Sequence, residues 1–494
     1  MPVVFVGFYL LAKISHRGAI GWLAISSIFF YAYWSILALP ILVISILTNY
    51  WFGTLISKPE LKHRQSVLIL AIVINLIVLG YFKYANFFID NISELRILMD
   101  LDPLDSVSII LPIGISFFTF TQIAFLIDSF QGKVKEPDFI QYTLFVSFFP
   151  HLLAGPLLHH KQMMPQFAMT ENLVIQREKI VIGLSIFAIG LAKKVLIADT
   201  LNVYVSSFYD NLALGANPFF LASWLATIGY TFQLYFDFSG YSDMAVGAAL
   251  LFGIWMPFNF NSPFRATSII DFWQRWHITL TKYVGDYLYT PITLKFMRLS
   301  QGMPMVFETF FSLVVPTVII FIMLGFWHGA NWTFVIFGGM HGFYIVTNHL
   351  WRRFFPLPSK KNRNNGRYKS IKITAGWMLT FLAVNIANVM FRSDNVAIAL
   401  EMYKGMLGLN GYSLGNMPDI YSWIAGLKVT LTATLSAFMI IFFMPNTISV
   451  ASFSTNSHLK KLPAAYAFIL VLIVIIYALL QVNFYESPFL YFKF

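Results

Sequence analysis

Long runs of apolar residues recur from one end of this chain to the other, with short basic or proline- and glycine-containing segments between them. Many runs are about 15 to 22 residues long, which is the length that crosses the hydrocarbon core of a bilayer as an α-helix. Charged residues make up only 11% of the 494 residues, whereas soluble domains average about 25%. So few ionised groups cannot cover a globular surface in water. The sequence therefore predicts an all-α, polytopic membrane protein.

The apolar runs predict about eleven transmembrane helices, with re-entrant or interfacial helices among them. The candidate spans are 2–12, 20–35, 38–55, 66–84, 108–130, 139–154, 179–198, 217–236, 243–258, 309–327, 331–350, 372–391, 426–444 and 463–482. Proline and glycine interrupt Leu111–Ser116 and the region of Pro150 and Pro156, so we expect broken or re-entrant helices there. The stretch 259–308 mixes charged residues with Trp and Tyr, and we expect its helices to lie at the membrane face.

Charge and cysteine content exclude several kinds of function. The net charge of +11 comes from basic residues between the apolar runs, which indicates membrane topology rather than nucleic-acid binding. The most basic stretch, 352–369, is predicted to be a cytoplasmic loop. The absence of cysteine excludes disulfides, cysteine-ligated zinc and an acyl-cysteine intermediate on this chain. His151, His159 and His160 have no carboxylate at ligand spacing, so no metal site is expected.

His328 lies inside Thr309–Trp351, a stretch that contains no Asp, Glu, Lys or Arg. A buried imidazole is expected to have either a hydrogen-bond partner or a functional role. It is therefore either a packed histidine bonded to a carbonyl, or a general base that desolvation keeps neutral. The neighbouring residues favour the second interpretation, because small residues allow a ligand or another chain to approach closely. Trp327 and Trp332 would wall the site, and Asn331 would offer a polar partner.

A second histidine, His277, lies in the polar stretch that we expect at the membrane face. On a continuous helix, Gln274, His277 and Thr281 would share one face. His277 is then either an interfacial anchor, like the neighbouring Trp276, or a group that binds the phosphate or thioester end of a cytosolic acyl donor. Arg275 would assist in the second case, because a guanidinium suits phosphate.

Asp237 and Asp243 lie at the junction of two predicted spans, where a carboxylate requires a partner such as an arginine or a helix N-terminus. Ser242 or Asp243 would cap the second helix. Asp237 has no such simple explanation and remains a candidate site residue.

His341 follows His328 by thirteen residues, or about three and a half helical turns. Two residues so far apart cannot share one site on a straight helix. We therefore expect His341 to be a packing or gate residue.

Several of these residues belong to longer sequence blocks. The blocks are Leu111–Phe120, Ser147–Pro156, Tyr235–Met244, Asp271–Leu280, Tyr287–Pro291, Gly325–Trp332, Asn388–Arg392 and Phe489–Phe494. Together they resemble the membrane-bound O-acyltransferase (MBOAT) family, in the bacterial branch typified by alginate O-acetylation, over nearly the whole chain. Pro291–Arg298 departs from the family pattern because it lacks a glycine pair, which places the local turn and its binding role in question.

The resemblance implies a ring of tilted helices around a central funnel, built as one domain over 1–494 with its core at about 108–350 and C-terminal helices at 372–494. It implies that His328 is the catalytic histidine and that His277 is a second histidine on the cytoplasmic side. The donor substrate would be acetyl-CoA or another acyl thioester, with no bound cofactor. The expected location is the bacterial inner membrane, among its lipids. A separate extracytoplasmic acetyltransferase partner would decorate the cell-surface polysaccharide.

Three functions remain under consideration. The leading interpretation is an acyltransferase that moves an acetyl group across the membrane for O-acetylation of an exported polysaccharide. D-alanyl transfer to teichoic acid from a carrier-protein thioester would keep the chemistry and change the substrate. A transporter of polysaccharide or lipid-linked sugar would need buried charge along a continuous route, and the charge-free Thr309–Trp351 stretch argues against it.

Overall fold

The computed structural model describes residues 1–134, 138–153, 155–355, 366–412, 420–455, 476, 477 and 490, with backbone only at 366–370, 420–429 and 452–455. Every regular element in these residues is a helix, which confirms the all-α prediction. Most of the basic loop predicted at 352–369 lies outside the described residues. So does most of the apolar run at 463–482.

Five helices in the described part of the chain are long and apolar enough to cross a membrane. They are Ile36–Ile56, Arg64–Leu98, Arg177–Ala213, Met305–His328 and Ile371–Arg392. Shorter apolar helices are Pro2–Ala12, Ile115–Phe130 and Thr430–Phe443. The protein is thus a polytopic membrane protein, as predicted, while the number of about eleven crossings stays a prediction.

The described chain forms two compact units. One comprises Met1–Ala188 and Tyr241–Pro257, and the other comprises Ile189–Gly240 and most of the chain from Phe258 onwards. The chain leaves the first unit and later returns to it, so neither unit is one continuous stretch of sequence. The single domain expected over residues 1–494 stays a prediction.

The first unit contains the N-terminal helices. They are α1 (Pro2–Ala12), α2 (His16–Trp34), α3 (Leu39–Ile56), α4 (Arg64–Leu98), α5 (Ile115–Phe130), α6 (Phe139–Ser147), α7 (His160–Ala168) and most of α8 (Arg177–Ala192).

Hydrogen bonds of amide side chains connect four of these helices, α3, α4, α5 and α6, in the interior of the first unit. The side-chain amides of Asn49 on α3 and Asn75 on α4 donate to each other's carbonyl oxygens, over 3.1 and 2.7 Å. Gln122 on α5 donates to the Ser45 hydroxyl over 2.8 Å and accepts from the Tyr142 hydroxyl over 3.1 Å. Such bonds hold apolar helices together where the hydrophobic effect gives little driving force.

The interruptions predicted in two early spans are present. Helix α5 begins at Ile115, directly after Gly114, whose φ of 74° is readily adopted only by glycine. Helix α6 ends at Ser147, before Pro150, so the predicted span 139–154 is helical only in its first part. Each of the two predicted spans is helical over only part of its length, and whether either segment re-enters the membrane stays a prediction.

The second unit contains the later helices. They are α9 (Asp199–Ala213), α10 (Phe220–Leu250, which starts here), α11 (Ile269–Arg275), α12 (Ile278–Val284), α13 (Thr290–Leu299), α14 (Met305–Thr309), α15 (Val315–His328), α16 (Trp332–Phe354), α17 (Gly366–Arg392), α18 (Val396–Met406), α19 (Ile420–Phe443) and α20 (Thr447–Thr455). Three π-helical turns, Lys193–Ala198, Gly285–Tyr289 and Phe310–Val314, each run directly into the following α-helix.

The separate spans predicted at 217–236 and 243–258 are wrong, because α10 runs without a break from Phe220 to Leu250. Ser242 and Asp243 lie inside this helix, so the prediction that one of them caps a new helix is also wrong. The sequence contains no proline between Phe219 and Leu251 that would have broken it. Polar residues in the middle of an apolar run were misread as a helix junction.

Helices α15 and α16 form a tight antiparallel hairpin whose contact depends on two glycines. A Cβ atom added to Gly325 would lie 2.1 Å from the carbonyl oxygen of Phe334, and one added to Gly338 would lie 2.1 Å from that of Phe321. Both distances are impossible for a real side chain, so only glycine permits this approach. Small residues serve the same purpose wherever membrane helices meet closely.

Candidate active site

His328 is the last residue of α15, at the tip of the hairpin. Gly329 has an extended backbone conformation, and the next helix, α16, begins at Trp332. The side chain of Asn331 caps that helix by accepting a hydrogen bond from the Thr333 amide over 3.0 Å. The chain therefore reverses within three residues and holds the imidazole of His328 at a fixed position, with 7% of the residue exposed.

His328 lines a small, narrow cavity. The lining residues are Leu234, Phe272, Trp273, Trp276, His328, Phe337, His341, Val384, Asn388 and Phe391. Apart from the two tryptophans, the polar side chains in this lining are His328, His341 and Asn388. The cavity is thus a mainly aromatic chamber with few hydrogen-bonding groups, which is the usual character of a small-molecule site.

The structure brings His341 into the same cavity as His328, so the expectation that the two cannot share a site is wrong. That expectation assumed one straight helix, whereas the chain reverses at Gly329 and α16 runs back beside α15. The ring of Phe337 contacts both imidazoles, with its centre 4.7 Å from that of His341 and 6.1 Å from that of His328. The indole N–H of Trp273 donates to Nδ1 of His341 over 3.3 Å.

Asn388 is a cavity residue to which the sequence analysis gave no role. Its side chain is oriented by a chain of hydrogen bonds: Asn385 donates to the Phe381 carbonyl over 2.8 Å, and the Thr231 hydroxyl donates to Oδ1 of Asn385 over 2.9 Å. The hydroxyl has one proton, so it must accept the 3.0 Å bond from Nδ2 of Asn388. The side-chain oxygen of Asn388, Oδ1, is therefore available to a ligand in the cavity. The sequence does indicate Asn388, because Asn385 and Asn388 are polar residues three positions apart inside an apolar span.

His277 lies between two short helices, and this position corrects the sequence analysis. Helix α11 ends at Arg275 and α12 begins at Ile278, while His277 adopts a left-handed backbone conformation with φ of 45°. The prediction that Gln274, His277 and Thr281 share one face of a helix is therefore wrong. Nothing in the sequence signals this break, because no glycine or proline lies near it.

The surroundings of His277 are those of an interior residue, not of an exposed anchor. Only 1% of the residue is exposed, and the ring of Phe238 lies 4.7 Å from its own. Asn259 holds the chain on the following side: its carbonyl accepts from the Ile278 amide over 2.9 Å, and its Oδ1 accepts from the Thr279 hydroxyl over 2.6 Å. Burial lowers the pKa of the His277 imidazole to about 3, which keeps it neutral. The cavity lining includes Trp276 but not His277.

The sequence profile of the membrane-bound O-acyltransferase family matches residues 20–391. The chain belongs to the MBOAT family. This confirms the resemblance inferred from the sequence blocks.

Curated relatives extend over most of this MBOAT protein. It is similar to the peptidoglycan O-acetyltransferase of Helicobacter pylori, at 39% identity over 449 residues that cover 84% of this chain and 79% of the relative. It is similar to the probable alginate O-acetylase AlgI of Pseudomonas aeruginosa, at 36% identity over 449 residues that cover 89% and 78%. The teichoic acid D-alanyltransferase of Streptococcus thermophilus matches at 28% over 263 residues, which cover 52% and 60%. The protein is therefore an MBOAT-type acyltransferase of the bacterial cell membrane.

The other residues predicted for the MBOAT donor site lie outside the cavity. Arg275 forms an ion pair of 2.7 Å with Asp271, one helical turn earlier. Gln274 is exposed, and the hydroxyl of Thr281 donates to the Trp273 carbonyl over 3.0 Å, which closes the end of α11. These contacts shape the segment around His277. A donor-binding role for the three residues stays a prediction.

Asp237 has the partner that the sequence analysis required, but the partner is a lysine. One oxygen of its carboxylate lies 2.6 Å from the ammonium of Lys194, and the other accepts from the Leu490 amide over 3.0 Å. Lys194 also lies 2.7 Å from Asp199. Lys194 belongs to a π-helical turn between α8 and α9. Asp237 does not line the cavity, and its contacts are those of a structural carboxylate.

The residues around His328 divide into two groups. Trp327 is buried, and its ring centre lies 4.9 Å from that of His328, but it is not part of the cavity lining, so its role as a wall of the site stays a prediction. Trp332 is 52% exposed and does not line the cavity. The side chain of Asn331 caps α16 and donates to the Asp394 carbonyl over 2.8 Å. These two bonds do not involve His328, the partner that the sequence analysis expected. No group of three histidine or acidic side chains that could hold a metal occurs in the described residues.

Proposed function

We propose that this MBOAT protein moves an acetyl group from cytosolic acetyl-CoA across the membrane, for O-acetylation of a cell-surface or exported polysaccharide. The observation that carries the proposal is His328, an imidazole at the end of a charge-free helix that lines an aromatic cavity. The names of the peptidoglycan O-acetyltransferase and the alginate O-acetylase reported above, each of which covers most of the chain, support acetate as the acyl group. Thioesters are made in the cytosol, whereas the hydroxyl groups of the polysaccharide lie outside. Transfer within the membrane would bring the acetyl group to the acceptor without moving the carrier across.

In the proposed reaction His328 acts as a general base. Its neutral imidazole accepts the proton of an acceptor hydroxyl as the oxygen attacks the thioester carbonyl carbon. The carbonyl electron pair moves to oxygen, and it returns when the carbon–sulfur bond breaks. The thiolate then takes the proton from the imidazolium, which leaves an ester, a free thiol and a neutral His328. Since the chain has no cysteine, the acyl group passes directly to the acceptor or through a serine, threonine or tyrosine.

His277, with Arg275, Gln274 and Thr281 around it, is proposed to serve the donor side. The support is the motif resemblance together with burial of a neutral imidazole beside Trp276, which lines the cavity. On the far side, a separate extracytoplasmic acetyltransferase would accept the acetyl group and decorate the polymer.

D-alanyl transfer from a carrier-protein thioester is the second candidate, favoured only by the partial match to a teichoic acid D-alanyltransferase. Cells that lack the gene, complemented with wild type or with His328→Ala, distinguish the two. Mild alkali releases ester-linked groups from the cell surface, and acetate and D-alanine are then measured. We expect acetate to depend on the wild-type gene and on His328. Loss of D-alanine alone would favour the second candidate, and no change in either would overturn acyl transfer to the surface.

A further inference from the structure

His341 is a second imidazole in the cavity, and a neighbour fixes which of its nitrogens carries the proton. Nδ1 accepts the hydrogen bond from the indole of Trp273, whose N–H can only donate. A neutral His341 must therefore carry its proton on Nε2. Because Nδ1 is occupied, Nε2–H is the group through which this side chain can meet a ligand in the cavity.

The surroundings of His341 hold that arrangement rigidly. Only 1% of the residue is exposed, and the ring of Trp273 meets it edge-on with centres 5.2 Å apart. Phe337 packs against it at 4.7 Å, and Phe272 lies nearly parallel at 6.5 Å. A donor held by aromatic rings needs no reorganisation when charge develops beside it, and a mainly apolar cavity strengthens its effect.

The chemistry proposed for His328 leaves one requirement unmet within the cavity. When the hydroxyl attacks, negative charge collects on the thioester carbonyl oxygen, and His328 cannot stabilise that charge because the imidazole acts as the base that accepts the hydroxyl proton. The remaining polar side chains in the lining, apart from the tryptophans, are Asn388 and His341. Of the two, His341 is the one whose bond to Trp273 leaves it solely a donor.

We infer that His341 is a catalytic residue that donates a hydrogen bond from Nε2 to the thioester carbonyl oxygen as it becomes an oxyanion. This assignment rests on the acyl transfer proposed above and supplies its transition-state stabilisation. The electron pair of the carbonyl moves to the oxygen facing His341 and returns on loss of the thiolate, while the proton moves only through His328. The two histidines thus have opposite tasks, one as acceptor and one as donor. Trp273 is the positioning residue that fixes the tautomer.

The test uses the full-length protein in nanodiscs, with acetyl-CoA as donor, an added oligosaccharide as the hydroxyl acceptor and release of CoA thiol as the readout. The protein has no cysteine, so a thiol reagent reports only the product. His341→Phe keeps an aromatic ring but removes the donor, whereas His341→Gln places an amide N–H close to the position of Nε2. His349→Phe, on the same helix but outside the cavity lining, is the matched control.

We expect His341→Phe to lower kcat about 10²–10³-fold, which is typical for loss of one oxyanion donor, with little change in KM for acetyl-CoA. His341→Gln should recover part of that loss, Trp273→Phe should cause a smaller loss than His341→Phe, and His349→Phe should resemble wild type. An active wild type with an unaffected His341→Phe would overturn the assignment alone. Equal losses in His341→Phe and His341→Gln, matched by equal falls in thermal stability, would also overturn it in favour of a packing role. A wild type that releases no thiol would instead overturn the proposed function, and this assignment with it.

Discussion

The ammonium group of Lys194 lies 2.6 Å from the carboxylate of Asp237, and only 14% and 2% of the two side chains are exposed. The lysine lies in the π-helical turn Lys193–Ala198, between α8 and α9. The same carboxylate binds the Leu490 amide, so the pair also connects α10 to the C-terminal part of the chain. A buried charge of this kind persists only because its partner is present.

We therefore predict that Lys194→Met destabilises the protein by about 3–5 kcal/mol, because it leaves Asp237 charged and buried without its ion pair. The matched control is Lys404→Met, which removes a 2.6 Å ion pair with Glu401 whose side chains are 52% and 42% exposed. Such a surface pair is worth only about 0–1 kcal/mol. Thermal unfolding of the two variants in detergent checks the difference. Similar unfolding temperatures would show that the buried pair is dispensable.

The hairpin that carries His328 offers a second comparison between neighbouring positions. We predict that Gly338→Ala disrupts it, because the new Cβ would meet the Phe321 carbonyl at 2.1 Å and force α15 and α16 apart. Gly339→Ala is the control, since no atom lies within 4 Å of a Cβ built there, and alanine favours a helix over glycine. Thermal unfolding and thiol release from acetyl-CoA should fall only in Gly338→Ala. Equal tolerance of both changes would contradict the close contact.

The helical class, the membrane location and the family could all be predicted from the sequence, because they depend on composition and on contiguous motifs. His328 was also found this way, as an isolated imidazole in a charge-free stretch. The pairing of His341 with His328 was missed, although Gly329 and Asn331 between them are residues that favour a chain reversal and a helix cap. The distance between His328 and His341 was judged from their spacing along one straight helix, whereas they lie on two helices, α15 and α16, that run side by side.

The errors at other positions have a common physical cause. The left-handed conformation of His277 is maintained by bonds to Asn259, which is distant in sequence, and no local propensity encodes it. Asp237 could be recognised as needing a partner, but its partner Lys194 is distant in sequence and lies in another helical segment. Asn388 takes its orientation from Thr231 on another helix. Each depends on tertiary contacts rather than on local pattern.

The role of His277 can be separated from its backbone conformation. We predict that His277→Asn and His277→Phe both impair thiol release from acetyl-CoA. Asparagine tolerates the left-handed conformation and phenylalanine keeps a ring beside Phe238, but neither supplies an imidazole. If His277 serves the donor, the impairment should include a raised KM for acetyl-CoA. Activity near wild type in either variant would assign His277 a structural role.

The basic stretch 352–369 is predicted to face the cytoplasm. The chain has no cysteine, so Asn364→Cys introduces a single labelling site. An impermeant maleimide added to intact cells should leave it unlabelled, and permeabilised cells of the same strain should label fully. Labelling of intact cells would reverse the topology, and the donor side of the protein would change with it.

The central claim is that His328 is the general base of acyl transfer. Its most direct test is the rate of CoA release from acetyl-CoA by purified wild type and His328→Ala in nanodiscs, with thermal unfolding measured on the same samples. We predict that the alanine variant unfolds at a temperature close to that of wild type while kcat falls about 10²–10⁴-fold, the usual cost of losing a general base. A well-folded His328→Ala protein that releases CoA at the wild-type rate would contradict the account.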